Sequence, residues 1–311
     1  MPSTRRRPLI SVIIPTCDRP QMLNAALESV AAQEFDGAVE AIVVNDGEVS
    51  VDSVVAAHAN EMAVRFVESG RHLGPAVARN AGLEHASGDY IAFLDDDDLF
   101  LPGHLAAGCE VLDRDEADVV YLGAVVAERR LSGRPVDLAG YLLKAYPYDY
   151  RFLLVANYVH TGSVIVRNFA DAPIRFDESL IACEDWDMWI SLATLFQQRV
   201  HFVDKITCIY HQIPDVRGVV VDAQETSPTK FSLARDAIHE KWPSTDPLVL
   251  EHRRWLLSFE QYRSDLVAEY HRMPNLLFDE VLGYLHDRIR RERSADYRDI
   301  VRFFDSQAAR R

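Results

Sequence analysis

Two rhythms of apolar and polar positions alternate along the first 130 residues. LISVIIP (9–15), VEAIVVND (39–46), VRFVES (64–69), DYIAFL (89–94) and DVVYLGAVVAE (118–128) are nearly continuous apolar runs rich in β-branched residues. That is the pattern of strands covered on both faces. Between them, QMLNAALESVAAQ (21–33), VDSVVAAHA (51–59), PAVARNAGLEHAS (75–87) and PGHLAAGCEVL (102–112) read as helices. Their apolar residues recur at helical spacing or their alanines favour helix. Asp18 is expected to cap the first helix with Pro20 in its first turn, and Asp98 is a candidate cap before the fourth. Strands alternating with helices at this interval predict right-handed βαβ units and an open, mainly parallel sheet.

Ligands bind such sheets just outside the carboxyl ends of the strands. The residues found there are Thr16 to Arg19, then Asn45 and Asp46, then Arg71, then Asp95 to Asp98. All four strand ends are polar or charged, so they are expected to converge on one crevice. From 131 to 160 the periodicity fades into a loop-rich crossing segment, followed by a short strand, SVIVRN (163–168). EDWDMWISLATLFQQ (184–198) is an amphipathic helix, HFVDKITCIYH (201–211) suggests edge strands, and the chain beyond about 225 is helical and charge-mixed. This organisation predicts a first domain over 1–225, made of halves near 8–130 and 131–225. A helical extension follows over 226–311.

The chain has 311 residues, and its 33 basic and 48 acidic residues leave a net charge of −15. That sign argues against a nucleic-acid partner and against general adsorption to anionic lipid. A negatively charged small substrate would need a local cation cluster or a bound metal. No apolar run reaches the roughly 18 residues of a membrane-spanning helix, and the start, MPSTRRRPLI, does not read as a secretory leader. Cys17, Cys109, Cys183 and Cys208 are scattered without a CxxC pair. They are expected to be free thiols in a cytoplasmic protein.

Four adjacent carboxylates, Asp95 to Asp98, repel one another and are costly to bury unpaired. A divalent cation bridging them to a diphosphate would relieve that repulsion. In company, SVIIPTCDRPQML, VVNDG, GRHLGPAVARNAGLEHASGDYIAFLDDDD and CEDWDMWISLA resemble the family 2 glycosyltransferases in order and spacing, over about residues 8 to 215. The resemblance implies an α/β GT-A (Rossmann-like) fold. It also implies inverting transfer of a sugar from a nucleotide diphosphate donor, most commonly a UDP-sugar, with Mn2+ or Mg2+. Carried over by position, Pro15, Thr16 and Arg19 lie beside the nucleoside, Asp46 contacts the base, and Arg79 orders the donor site. Asp95 faces ribose or metal, Asp97 is the principal metal ligand, and His211 is a further candidate ligand. Asp96 joins the donor set as its most dispensable member. Asn45, Glu48 and Ser191 stand where the family commonly has aspartate, serine and arginine.

Inverting transfer needs a base for the acceptor proton. The resemblance assigns it to Asp185, with Glu184 beside it and Trp186 as a candidate face for the acceptor. That acceptor is expected to be a glycan, a lipid-linked saccharide or a small natural product. Alternative readings are a metal-dependent nucleotidyltransferase acting on sugar phosphates and a non-catalytic nucleotide-sugar-binding protein. The C-terminal helices are candidates for a homodimer interface.

Overall fold

The computed structural model describes residues 7–69, 72–133, 137–213, 229–270 and 277–308. Arg71 lies outside the described residues. The first four strands are β1 (Leu9–Thr16), β2 (Ala38–Asn45), β3 (Ala63–Glu68) and β4 (Tyr90–Phe93), joined by α1 (Pro20–Ala31), α2 (Asp52–His58) and α3 (Pro75–His85). There follow β5 (Leu99–Phe100), α4 (His104–Asp113), β6 (Val119–Ala127), β7 (Leu142–Lys144), α5 (Tyr150–Leu153), β8 (Val164–Arg167), α6 (Glu184–Leu195) and β9 (Val200–His211). The sheet runs β3-β2-β1-β4-β8-β6-β9-β5, with β7 pairing β6. Parallel pairing holds from β3 through β4 and again between β6 and β9, while β8, β5 and β7 pair antiparallel.

Register sets the strand ends level. Thr16 pairs with Asn45, Asn45 with Glu68, and Ile13 with Phe93. Three residues beyond each member of the last pair lie Thr16 and Asp96, which meet through their side chains. The strands stay in place because alternate side chains of β1 fill opposite sides of the sheet. Ile10, Val12 and Ile14 are fully buried with Leu23 and Leu27 of α1. Ile13 faces the other way, where a Cβ on Gly82 of α3 would collide with its side chain. Close packing of helix on strand therefore requires glycine there.

Several expectations change. Asp18 does not cap α1. The N-cap is Arg19 and makes no side-chain cap, although Pro20 does open the helix. Asp98 does not cap α4, whose N-cap is the left-handed Gly103. The stretch 201–211 is one long strand paired with β6; only Cys208 and Ile209 also pair with the two-residue β5, so the part before them stays at the sheet edge as expected. The segment read as loop contains β7 and α5, too short to show a period.

Two compact units emerge. One comprises Met1–Tyr148, Val159–Glu178 and Ser191–Ile213, and the other Asp149–Tyr158, Ser179–Ile190 and Pro214–Arg311. The second holds the C-terminal helices α7 (Lys230–Lys241), α8 (Pro247–Tyr270), α9 (Leu277–Arg290) and α10 (Tyr297–Ala308). Its interior is built on the Trp255–Phe259 stack, Tyr284 against Trp255, and buried Val281, Leu282, Leu285 and Ile289. Arg253 of α8 ties the unit together by donating to the carbonyls of Leu154, His239 and Trp242. Among the described residues no helix is long and apolar enough to cross a membrane.

Candidate active site

The four aspartates after β4 occupy four different environments. Asp95 accepts from Arg79 of α3 at 2.6 Å. Burial opposes its ionisation, yet the Arg79 charge and hydrogen bond prevail and hold it below the usual carboxylate range. Asp96 accepts from Thr16 Oγ1 at 2.7 Å and from Arg19 at 3.3 Å. Burial first, and then Asp97, push it up to about 6. Asp97 turns Oδ2 toward Arg19 at 3.2 Å, and burial with Asp98 and Asp95 pushes it up to about 7. Asp98 is buried outright. It accepts from the His211 amide at 2.8 Å and lies 3.0 Å from His160 Nε2. Burial and Asp95 raise it well above the ordinary range.

This is a row of carboxylates under mutual repulsion, held by Arg19, Arg79 and His160. Its oxygens are the donors that Mn2+ and Mg2+ take, and a cation would lower the raised pKa values. Asp95 and Asp97 therefore fit the metal that the resemblance implies. His211 does not. Its Nδ1 donates to the Asp97 carbonyl at 2.6 Å while its Nε2 accepts from the Leu131 amide at 3.1 Å. Burial lowers its pKa to about 4, so the ring is neutral. With both ring nitrogens engaged, His211 braces the Asp97 backbone and offers no lone pair to an ion.

The neighbouring strand ends are equally ordered. Asp46 follows β2, and its carboxylate accepts from Ser69 Oγ, the Leu73 amide and the Gly74 amide, which fixes the turn into α3. Asn45 accepts from the Gly47 amide and donates to the Val49 carbonyl, a donation the aspartate common in the family cannot make. Thr16 is buried beside the half-buried Pro15. Asn80 pairs with Phe176 through both its amide groups and reaches Glu178, pinning that loop to α3. His160 is invisible in the sequence, because a lone histidine in a segment without periodicity carries no signal. Arg130, which donates to the Asp97 carbonyl at 2.9 Å, was missed for the same reason.

In the second unit, Glu184 and Asp185 open α6. Asp185 Oδ1 accepts from the Trp186 amide at 2.8 Å, and Oδ2 accepts from Asn157 Nδ2 at 3.0 Å. Glu184 is buried. Trp186 departs from its expected part. It is 3% exposed, its indole N–H donates to the Leu153 carbonyl at 2.6 Å, and its edge meets His239. The ring is enclosed by protein and presents no face for a sugar to stack upon. Asp187 is also buried, accepting from Lys241 at 2.9 Å and from Trp242 at 2.7 Å.

A sheet in this order, with acidic and basic side chains gathered at the carboxyl ends of β1, β2 and β4, is a GT-A glycosyltransferase fold. S. aureus TarS 1–349 solved with UDP-GlcNAc superposes with a TM-score of 0.59 at 20% identity, over 78% of this chain and 71% of that one. The mannosyltransferase PcManGT of Pyrobaculum calidifontis, solved with GDP-Man and Mn2+, gives 0.52 at 18% identity, over 90% and 86%. The family model described as Glycosyl transferase family 2 matches residues 11–171, and the chain belongs to that family. It is 34% identical over 186 residues to the uncharacterised glycosyltransferase YwdF of Bacillus subtilis (strain 168), covering 59% of this chain and 68% of YwdF. It spans 43% of the longer TarS chain. The protein is a glycosyltransferase, which removes the nucleotidyltransferase and non-catalytic readings.

Proposed function

We propose that the enzyme is an inverting transferase that moves a sugar from a nucleotide diphosphate sugar, UDP-sugars favoured, to a hydroxyl or amine acceptor. The observation that carries this reading is the strand-end row in which Arg79 holds Asp95 ionised while Asp97 is pushed up to about 7. TarS in complex with UDP-GlcNAc and PcManGT in complex with GDP-Man and Mn2+ support a nucleotide-sugar donor and a divalent cation. Asp95 and Asp97 would hold Mn2+ or Mg2+, which supplies Lewis-acid stabilisation of the leaving diphosphate. Pro15, Thr16 and Asp46 form the nucleoside side of the donor site. Arg19 and Arg79 set the charge of the row, with Asp96 fixed between Thr16 and Arg19.

Asp185 takes the acceptor proton as the acceptor's oxygen or nitrogen bonds to the anomeric carbon. The bond from that carbon to the diphosphate breaks, and the nucleoside diphosphate leaves with the electron pair. Glu184 lies beside the base on the acceptor side. The domain division at about residue 225, a cytoplasmic location and a homodimer through the C-terminal helices belong to the same reading. Cell fractionation and light scattering test the last two.

The direct experiment incubates the full chain with Mn2+ and a panel of UDP- and GDP-sugars and follows nucleoside diphosphate release. Release that EDTA abolishes is expected. Asp185→Asn should lower turnover about a hundredfold or more while donor binding persists. Asp97→Ala should weaken Mn2+-dependent donor binding. Pyrophosphate as the product, or full activity of Asp185→Asn, would overturn the reading.

A further inference from the structure

Beside the end of β1, Cys17, Asp18 and His72 each bring one ligand atom to within 4.8 Å of the others. Cys17 Sγ is 3.0 Å from His72 Nδ1, and Asp18 Oδ2 is 3.6 Å from His72 Nε2. Neighbouring residues of an extended chain point to opposite sides. Here Asp18 adopts a left-handed φ of 57°, which turns the chain so that both side chains reach one imidazole. That conformation is uncommon outside glycine, although aspartate tolerates it better than most residues. It is held by Asp18 Oδ1, which accepts from the Glu48 and Val49 amides at 2.7 and 2.8 Å. A Cβ on Gly47 would strike Asp18 Oδ1 and its amide nitrogen, so the arrangement also depends on glycine at that position. The side chain is thus anchored by one oxygen and turns the other toward the ring.

The chemistry of this trio differs from that of the carboxylate row. Asp95 and Asp97 offer oxygen alone, suited to hard Mg2+ and Mn2+. A thiol, an imidazole and one carboxylate make the borderline-soft set that zinc takes, a water completing four ligands in sites with three protein donors.

We propose that Cys17, Asp18 and His72 form a Zn2+ site separate from the carboxylate row. On binding, the Cys17 S–H bond breaks as the sulfur–zinc bond forms, and the proton passes to solvent. One ring nitrogen of His72 and Asp18 Oδ2 supply the other protein donors. Burial, then Asp18 and Asp46, raise the Cys17 pKa, against the opposing charge of Arg19, with Asp96 adding a smaller rise. A dication against the sulfur reverses that sign. Cys17 Sγ also lies 3.8 Å from the Asp46 carbonyl, which puts the ion beside the residue assigned to the nucleobase.

Co2+ serves as the spectroscopic probe on the full chain after EDTA treatment and dialysis. The wild type should develop a thiolate-to-cobalt absorption band that saturates at one equivalent and bleaches when Zn2+ is added. Cys17→Ser should lose the band, and His72→Ala should weaken Co2+ binding about tenfold or more. Absence of the band in the wild type would overturn the proposal. So would its persistence in Cys17→Ser, which would trace it to Cys109, Cys183 or Cys208. Should Cys17→Ser fail to fold, exposed His72 decides alone, and unchanged Co2+ affinity in His72→Ala sinks the site. Neither result depends on the transfer reaction.

Discussion

Asn157 donates its side-chain amide to Asp185 Oδ2 at 3.0 Å. The opposite amide orientation would aim a carbonyl oxygen at the carboxylate, so the contact fixes which end faces Asp185. Asn157 Oδ1 is left buried without a hydrogen-bond partner among the described residues. An unsatisfied buried acceptor costs about 1–3 kcal/mol. That cost is tolerated where the other half of the amide holds a carboxylate in one orientation. Asn157→Ala should therefore lower kcat about tenfold, within the range of a general-base contribution, while donor KM stays unchanged. Equal changes in both constants would show that Asn157 only supports the fold.

The raised carboxylates predict a pH dependence with an unusual sign. Asp96 and Asp97 sit at about 6 and about 7, against 3.8 for an ordinary aspartate. Between about pH 4 and pH 7 the folded chain binds more protons than the unfolded chain, so these two groups lower stability as pH rises through that window. A divalent cation on the row removes the penalty. Mn2+ should raise Tm more near pH 8 than near pH 5, as thermal unfolding at matched ionic strength would show. Equal increments at both values would count against the row as the metal site.

His211 separates ligation from bracing. Both of its ring nitrogens are spent on the backbone, at the Asp97 carbonyl and the Leu131 amide. His211→Ala should cost about 2 kcal/mol of stability through those lost hydrogen bonds. Saturable Mn2+ dependence should survive. Loss of that dependence in a folded His211→Ala protein would restore the histidine as a ligand.

Asp187 links α6 to the end of α7 within the second unit. It is 1% exposed and is the shared acceptor of Lys241 Nζ and Trp242 Nε1. Asp187→Ala should destabilise the protein by about 1–2 kcal/mol, because it removes a buried acceptor shared by the half-buried Trp242 and the more exposed Lys241. Urea unfolding monitored by tryptophan fluorescence measures this, and a change below about 0.5 kcal/mol would show the link to be dispensable.

Patterning alone determined β1, β2, β3, β4, β6 and the helices between the first strands. Local periodicity is enough when a strand is buried on both faces or a helix is amphipathic. The four strand-end clusters and the family motifs were readable for the same reason, since each sits at a fixed distance from a strong periodic element. Tertiary structure decided which aspartate is which. Four identical letters in a row became a pair with Arg79, a partner of Thr16, a group near neutrality and a buried acceptor for the His211 amide. It also removed His211 from the ligands and Trp186 from the surface, gave Asp18 to a neighbouring loop instead of α1, and brought His160 under Asp98 and Asn157 onto Asp185. Each of these outcomes depends on long-range contacts, which set burial and hydrogen-bond partners and leave no period in the sequence.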